Sequence, residues 1–221
     1  MAEYCQPQRG SAALITISAQ RDFTTPGSPI CAKGASKAVP RIQRVIQCFR
    51  DQQDPIFHSV RLYRPDGSNV DSCRRHLLEE GQRFLMPGSL GAELIDTLKP
   101  DPDIRLRPEV LLAKEFQNIG ENEEVFYRPR WGAFHDTGLE KRLRGMGVTT
   151  LVICGFSFTT GMRATIYEAS ARDFRIVVVS DAVCGATDAS LSELARIGIF
   201  LVSSDTCHDW IAGPRQQYAT A

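Results

Sequence analysis

Residues 149–165 read TTLVICGFSFTTGMRAT, and this stretch decides the fold. The run Leu151-Val152-Ile153-Cys154 is short, apolar and β-branched, the pattern of a strand buried on both faces. Gly155 breaks it, a polar turn over 156–160 follows, and the spacing from Gly161 predicts a helix over 161–172. In an open α/β sheet such a junction is where ligands bind, because the helix N-terminus leaves unpaired N–H groups there. A nucleophile is expected at or near Gly161, and none stands there.

Outward from this unit the pattern repeats. Residues 12–17 (AALITI) form a first strand, and Val39, Ile42, Val45, Ile46 and Phe49 fall at helical spacing within 38–53. Strands follow at 55–62, 124–128, 175–180 and 199–203, with helices at 137–146 and 190–197. Asp136 or Thr137 caps the helix at 137–146 and Gly147 ends it. The stretches 76–81 and 90–98 have weaker helical character, and 110–116 is ambiguous. The loop 63–74, YRPDGSNVDSCR, carries a turn signal at Pro65-Asp66-Gly67. Alternating strands and helices predict α/β: a doubly wound, mostly parallel sheet flanked by helices. One domain over 1–221 is expected, with flexible tails at 1–11 and 206–221.

Composition narrows the partners. The 221 residues are 43% hydrophobic and 24% charged, with zero formal net charge. Neither nucleic acid nor an anionic membrane is implied, and little charge repulsion opposes self-association. No apolar run reaches the roughly 18 residues of a membrane helix, and no signal-peptide core opens the chain. A soluble cytoplasmic protein is the expectation. Seven cysteines and four histidines are scattered without a CxxC pair or ligand spacing, so neither a metal nor a cofactor is expected.

The common site motifs are absent: GxGxxG after a strand, GxxxxGK[ST], and GxSxG. Asp22, after the first strand, reads better as a cap or ion-pair partner than as a catalytic acid. His58, in mid-strand, reads better as a hydrogen-bonded core histidine than as a general base.

Three fragments together resemble the isochorismatase-like, or cysteine hydrolase, superfamily: ITISAQRDF, YRPRWGAF, and CGFSFTTGMRATIYEASARDFRIVVVSDAV. The last, with its ATxxEAxxRDFxxxVVxDA run, is the most specific. RLYRPDGSNVDSCRR resembles one branch. The resemblance implies the isochorismatase-like hydrolase fold, usual assembly into dimers or tetramers, and hydrolysis of small amides or of a vinyl ether. It also implies a site of three parts: an aspartate in a DxQxDF pattern, a lysine in a KxRxSAF pattern, and a cysteine opening the helix after the central strand. A cysteine so placed is pushed toward thiolate by the helix dipole and the lysine. The aspartate moves its proton, and amides of the turn, shaped in the family by a non-proline cis bond, hold the oxyanion.

All three positions differ here. The alignment places Ser18 on the aspartate, Arg128 on the lysine and Gly161 on the cysteine. Arg128 keeps a charge but gives up no proton at ordinary pH, and Ser18 is no carboxylate base. One branch works with glycine at the cysteine position, yet it relies on the aspartate. Cys154, on the strand, is expected to be inert, and Cys184 lies nearer the ligand-binding edge.

By the same resemblance Phe23, Tyr63, Trp131 and Phe158 line a retained pocket, with Arg128, Thr159 and Thr160 as polar contacts. Two functions follow: an enzyme of metabolism or natural-product biosynthesis with a non-cysteine mechanism, or a catalytically inert relative that binds a metabolite or steadies a partner. A small-molecule ligand is expected in either case. The resemblance further implies a homodimer or higher homo-oligomer, and under the inert reading the partner is a paralogue in a mixed oligomer.

Overall fold

The computed structural model describes residues 3–214. Seven strands form one sheet in the order β3-β4-β2-β1-β5-β6-β7. They are β1 (Ala12–Ile17), β2 (Ile56–Val60), β3 (Gln117–Gly120), β4 (Glu123–Tyr127), β5 (Thr150–Gly155), β6 (Arg175–Val183) and β7 (Phe200–Val202). All pairings are parallel except β3 with β4. The main helices are α1 (Ala35–Asp51), α2 (Arg75–Glu79), α3 (Pro108–Leu112), α4 (Leu139–Gly145), α5 (Arg163–Ser170), α6 (Asp188–Arg196) and α7 (Ser204–Ala212).

The doubly wound sheet follows from strands such as β1 and β5, whose positions are buried on both faces. On β1 and β5, Leu14, Val152 and Cys154 face one layer with Ile42, Val45 and Phe49 of α1 and Ile211 of α7. Ala13, Ile15, Leu151 and Ile153 face the other, with Leu143 of α4, Ile166 of α5 and Leu194 of α6. Successive strand side chains point to opposite faces, so one unbroken apolar run serves two cores. No helix among the described residues is long and apolar enough to cross a membrane.

Three departures have physical causes. Strand β3 is short and polar, and its buried Gln117 is satisfied by the backbone of Arg105 and Arg107 instead of by apolar packing. No hydrophobic alternation announces it.

Within the tails expected at 1–11 and 206–221, parts of the described chain are anchored, although Tyr4 is exposed. Arg9, 3% exposed, pairs with Asp54 at 2.6 Å and donates to the Ile211 carbonyl at 2.6 Å. These partners make its burial tolerable. Residues 204–212 form α7, capped by Ser203 and anchored on α1 through buried Cys207 and Ile211. The remaining ends, 1–2 and 215–221, lie outside the described residues.

The helix expected over 161–172 begins as one π-helical turn, Phe158–Met162, before α5. Wider turns of this kind are frequent at functional sites.

Candidate active site

Ser18 follows β1, Arg128 follows β4, and Gly161 lies in the π turn after β5, so all three sit at the carboxyl ends of parallel strands. The main chain fixes two of them: Ser18 N donates to Ser59 O at 2.9 Å, and Arg128 N to Val60 O at 3.1 Å. Strand β2 separates β4 from β1, two spacings of about 4.8 Å. The long side chain of Arg128 crosses that gap and its Nη2 donates to Ser18 Oγ. The same guanidinium reaches Gly161, where a built Cβ would lie 2.8 Å from Nη2 and 3.1 Å from Cζ. The three triad-equivalent positions therefore meet, and the guanidinium fills the volume that the cysteine side chain would take.

Arg128 is 2% exposed. Its Nη1 donates to the carbonyls of Arg130 (3.1 Å) and Trp131 (2.7 Å), and its Nε has no hydrogen-bond partner. Burial, and then the neighbouring Arg61 charge, pull its pKa down to about 9, still protonated at neutral pH. Two more features differ from the site that the resemblance implies. Ser18 is fully buried and carries no charge. In the turn, Phe158 N, Thr160 N and Met162 N donate to the carbonyls of Cys184 and Ser157. No peptide bond among the described residues is cis, and Ser157 takes a left-handed conformation, φ 62°.

Burial drives the Cys154 thiol far above its ordinary range and pushes Cys184 up to about 11. Cys154 belongs to the core under α1, as expected for an inert thiol. Asp22 accepts a hydrogen bond from Leu85 N at 2.6 Å, a loop-fixing role. His58 is buried between Thr16 Oγ1 and Glu123 Oε1, each 2.8 Å away.

The pocket inferred from the resemblance is mostly closed by packing. Phe23 stacks near Phe156, centroids 6.4 Å apart, and Tyr63 meets Phe84 edge-on at 5.5 Å, all within the α1-side core. Phe158 lies in the opposite core. Thr159 is exposed and Thr160 half-buried, and neither lines the cleft beside Trp131. Of Phe23, Tyr63, Trp131 and Phe158, Trp131 lines that cleft, while the other three pack into the cores on the two faces of the sheet.

That cleft measures about 530 Å³ and is lined among others by Asp71, Cys73, Arg75, Arg130, Trp131 and Glu168. Its walls are built from the loop after β2. Asp71 Oδ2 accepts from Arg61 Nη2 at 2.8 Å and from Tyr63 OH at 2.6 Å, while Arg61 Nη1 holds the Arg128 carbonyl at 2.6 Å. Gln20 clamps Arg61 in turn through its amide N–H and carbonyl. On the opposite wall Glu168 accepts from Phe134 N at 2.9 Å. A Cβ on Gly132 would lie 2.1 Å from that carboxylate, so only glycine lets Glu168 in. Sequence reading passed over Arg61, Asp71, Arg75 and Glu168. The turn-rich stretch 63–75 and the ATxxEA run were the available signals.

The open, doubly wound, mostly parallel sheet, with a polar cluster at the carboxyl ends of β1, β4 and β5, defines an α/β protein of the class whose sites lie outside the strands' carboxyl ends. Comparison with known proteins gives the family. The sequence pattern of the isochorismatase domain matches residues 12–206, and the chain belongs to the isochorismatase family. An isochorismatase family protein of Desulfovibrio vulgaris is 30% identical with a TM-score of 0.77, over 92% of this chain and 99% of its own. A "probable inactive nicotinamidase" of Arabidopsis thaliana is 29% identical over 90% of this chain and 94% of its own. A ureidoacrylate amidohydrolase of Methylobacterium radiotolerans is 24% identical over 90% of this chain and 75% of its own.

Proposed function

We propose that this chain is a family member that does not hydrolyse amides through a thiol, and that it binds a small molecule in the cleft beside Trp131. One observation carries the reading: the Arg128 guanidinium occupies the space of a side chain at Gly161, so nucleophile and acid–base partner are absent together. The sealed position of Ser18 agrees with it, as does the description of the Arabidopsis relative as probably inactive. A cleft of about 530 Å³ is within the size range of small-molecule sites, roughly 300–1,000 Å³.

The amidohydrolase relatives supply the reaction to test. Incubation with nicotinamide and with ureidoacrylate should release no ammonia above a protein-free blank, and intact mass should show no acyl adduct. Cysteine-dependent release, or an acyl-enzyme, would overturn the reading.

A second reading is favoured by one observation, the exposed Cys73 thiol and the His135 imidazole on the walls of one cavity. Turnover lost in Cys73→Ala but kept in Arg128→Lys would move the chemistry into the cleft.

A further inference from the structure

The charges around the cleft do not balance. Arg61 is matched by Asp71. The other guanidiniums have no carboxylate partner among the described residues. Arg128 has carbonyls and the Ser18 hydroxyl. Arg74 donates to Tyr63 OH at 2.8 Å. Arg130 donates to the carbonyls of Pro129 and Asn69 at 2.9 and 3.3 Å. The Arg75 side chain makes no hydrogen bond or ion pair with another described residue, while its backbone N–H donates to Ser72 O. Against these four positive charges, Glu168 brings a carboxylate that accepts from the neutral Phe134 N–H.

Two of the four cations, Arg75 and Arg130, line the cleft, and a third, Arg128, is buried directly behind Trp131, whose carbonyl it holds. A buried cation without a counter-ion is costly unless something negative stands near it, and charges in a recess focus the potential on whatever enters. The rest of the wall sets the shape. Trp131 is 39% exposed, which leaves part of the indole open, and it stands beside the exposed Arg75 and Arg130 side chains. Guanidinium forks match a carboxylate in two-point contact, and an indole face favours a flat partner.

We propose that this cleft binds a small planar carboxylate, held by Arg75 and Arg130 and stacked on Trp131. This rests on the non-hydrolytic reading above and adds the ligand's chemical class to it. Asp71 is neutralised by Arg61, and the remaining Glu168 charge is outnumbered by those of Arg75, Arg130 and Arg128.

Benzoate and its neutral isostere benzamide separate charge from shape. Trp131 and Trp210 are the chain's two tryptophans, so a Trp210→Phe background leaves emission to Trp131. Benzoate should shift that emission saturably, and bind at least about tenfold more tightly than benzamide, the scale of one charge-assisted pair. Arg75→Gln and Arg130→Gln should each weaken benzoate roughly five- to tenfold and leave benzamide unchanged, and added salt should weaken benzoate alone. Equal affinity for the two probes, no saturable shift with benzoate, or unaltered benzoate binding in both arginine variants would overturn the proposal. Ammonia release from benzamide in the same samples reports separately on the non-hydrolytic reading. Its appearance would sink that reading without touching the carboxylate preference.

Discussion

Arg128 and Gly161 are complementary in volume: the guanidinium of the first stands where a side chain on the second would have to go. The glycine is not there for its backbone, which is not left-handed, but for its lack of a Cβ. In the site that the resemblance implies, a lysine and a cysteine stand at these two positions, and here one guanidinium takes up the space between them.

That pairing predicts non-additive energetics. Gly161→Ala alone should destabilise the fold by about 1–3 kcal/mol, since the guanidinium is pinned by Ser18 and two carbonyls and has nowhere to go. In an Arg128→Lys background the same substitution should cost well under half as much, because the narrower ammonium leaves room and alanine favours the helical turn. Urea unfolding of the four proteins measures the coupling. Equal costs in both backgrounds would mean that the two residues do not share the space.

Acid stability should depend on Glu123. This carboxylate is 1% exposed. Burial works against its charge, but hydrogen bonds from Arg50 and His58 outweigh burial and take its pKa to about 2. A folded pKa below the unfolded one stabilises fully above the unfolded value of 4.5, and that stability is lost as pH falls toward 2. The contribution is on the order of 3 kcal/mol. Glu123→Gln should be less stable at pH 7 and should flatten the acid limb between pH 4.5 and 2, followed by urea midpoints. An unchanged acid limb would place the sensitivity elsewhere.

Thiol labelling should sort the seven cysteines by burial. Cys31 and Cys73 are exposed, whereas Cys48, Cys154, Cys184 and Cys207 are buried. Burial lifts Cys207 to about 12 and Cys184 to about 11, so neither supplies thiolate at neutral pH. Brief iodoacetamide treatment with peptide mapping should modify Cys31 and Cys73 first, and the four buried thiols only in denaturant. Labelling of Cys154 or Cys184 as fast as Cys73 would contradict their placement.

The chain's own pattern announced much of this. The apolar run Leu151–Cys154 reads as a doubly buried strand because every position is apolar, and it is one. The fragments around Ser18, Arg128 and Gly161 placed three substituted positions at strand ends, where the fold brings them together. Strand β3 was hidden because its buried Gln117 is satisfied by backbone groups, which leaves no periodicity.

What the sequence determined by itself is therefore local in origin: alternating strands and helices, the absence of a carboxylate at Ser18 and of a thiol at Gly161, and a charge at Arg128. Tertiary structure decided where the open space lies. Phe23, Tyr63 and Phe158 went into the two cores, Arg128 filled the space beside Gly161, and the cleft was left between Trp131, Arg75 and Arg130. Side-chain type is written in the chain, but which volume a side chain fills depends on neighbours that are distant in sequence and become adjacent only when the sheet is assembled.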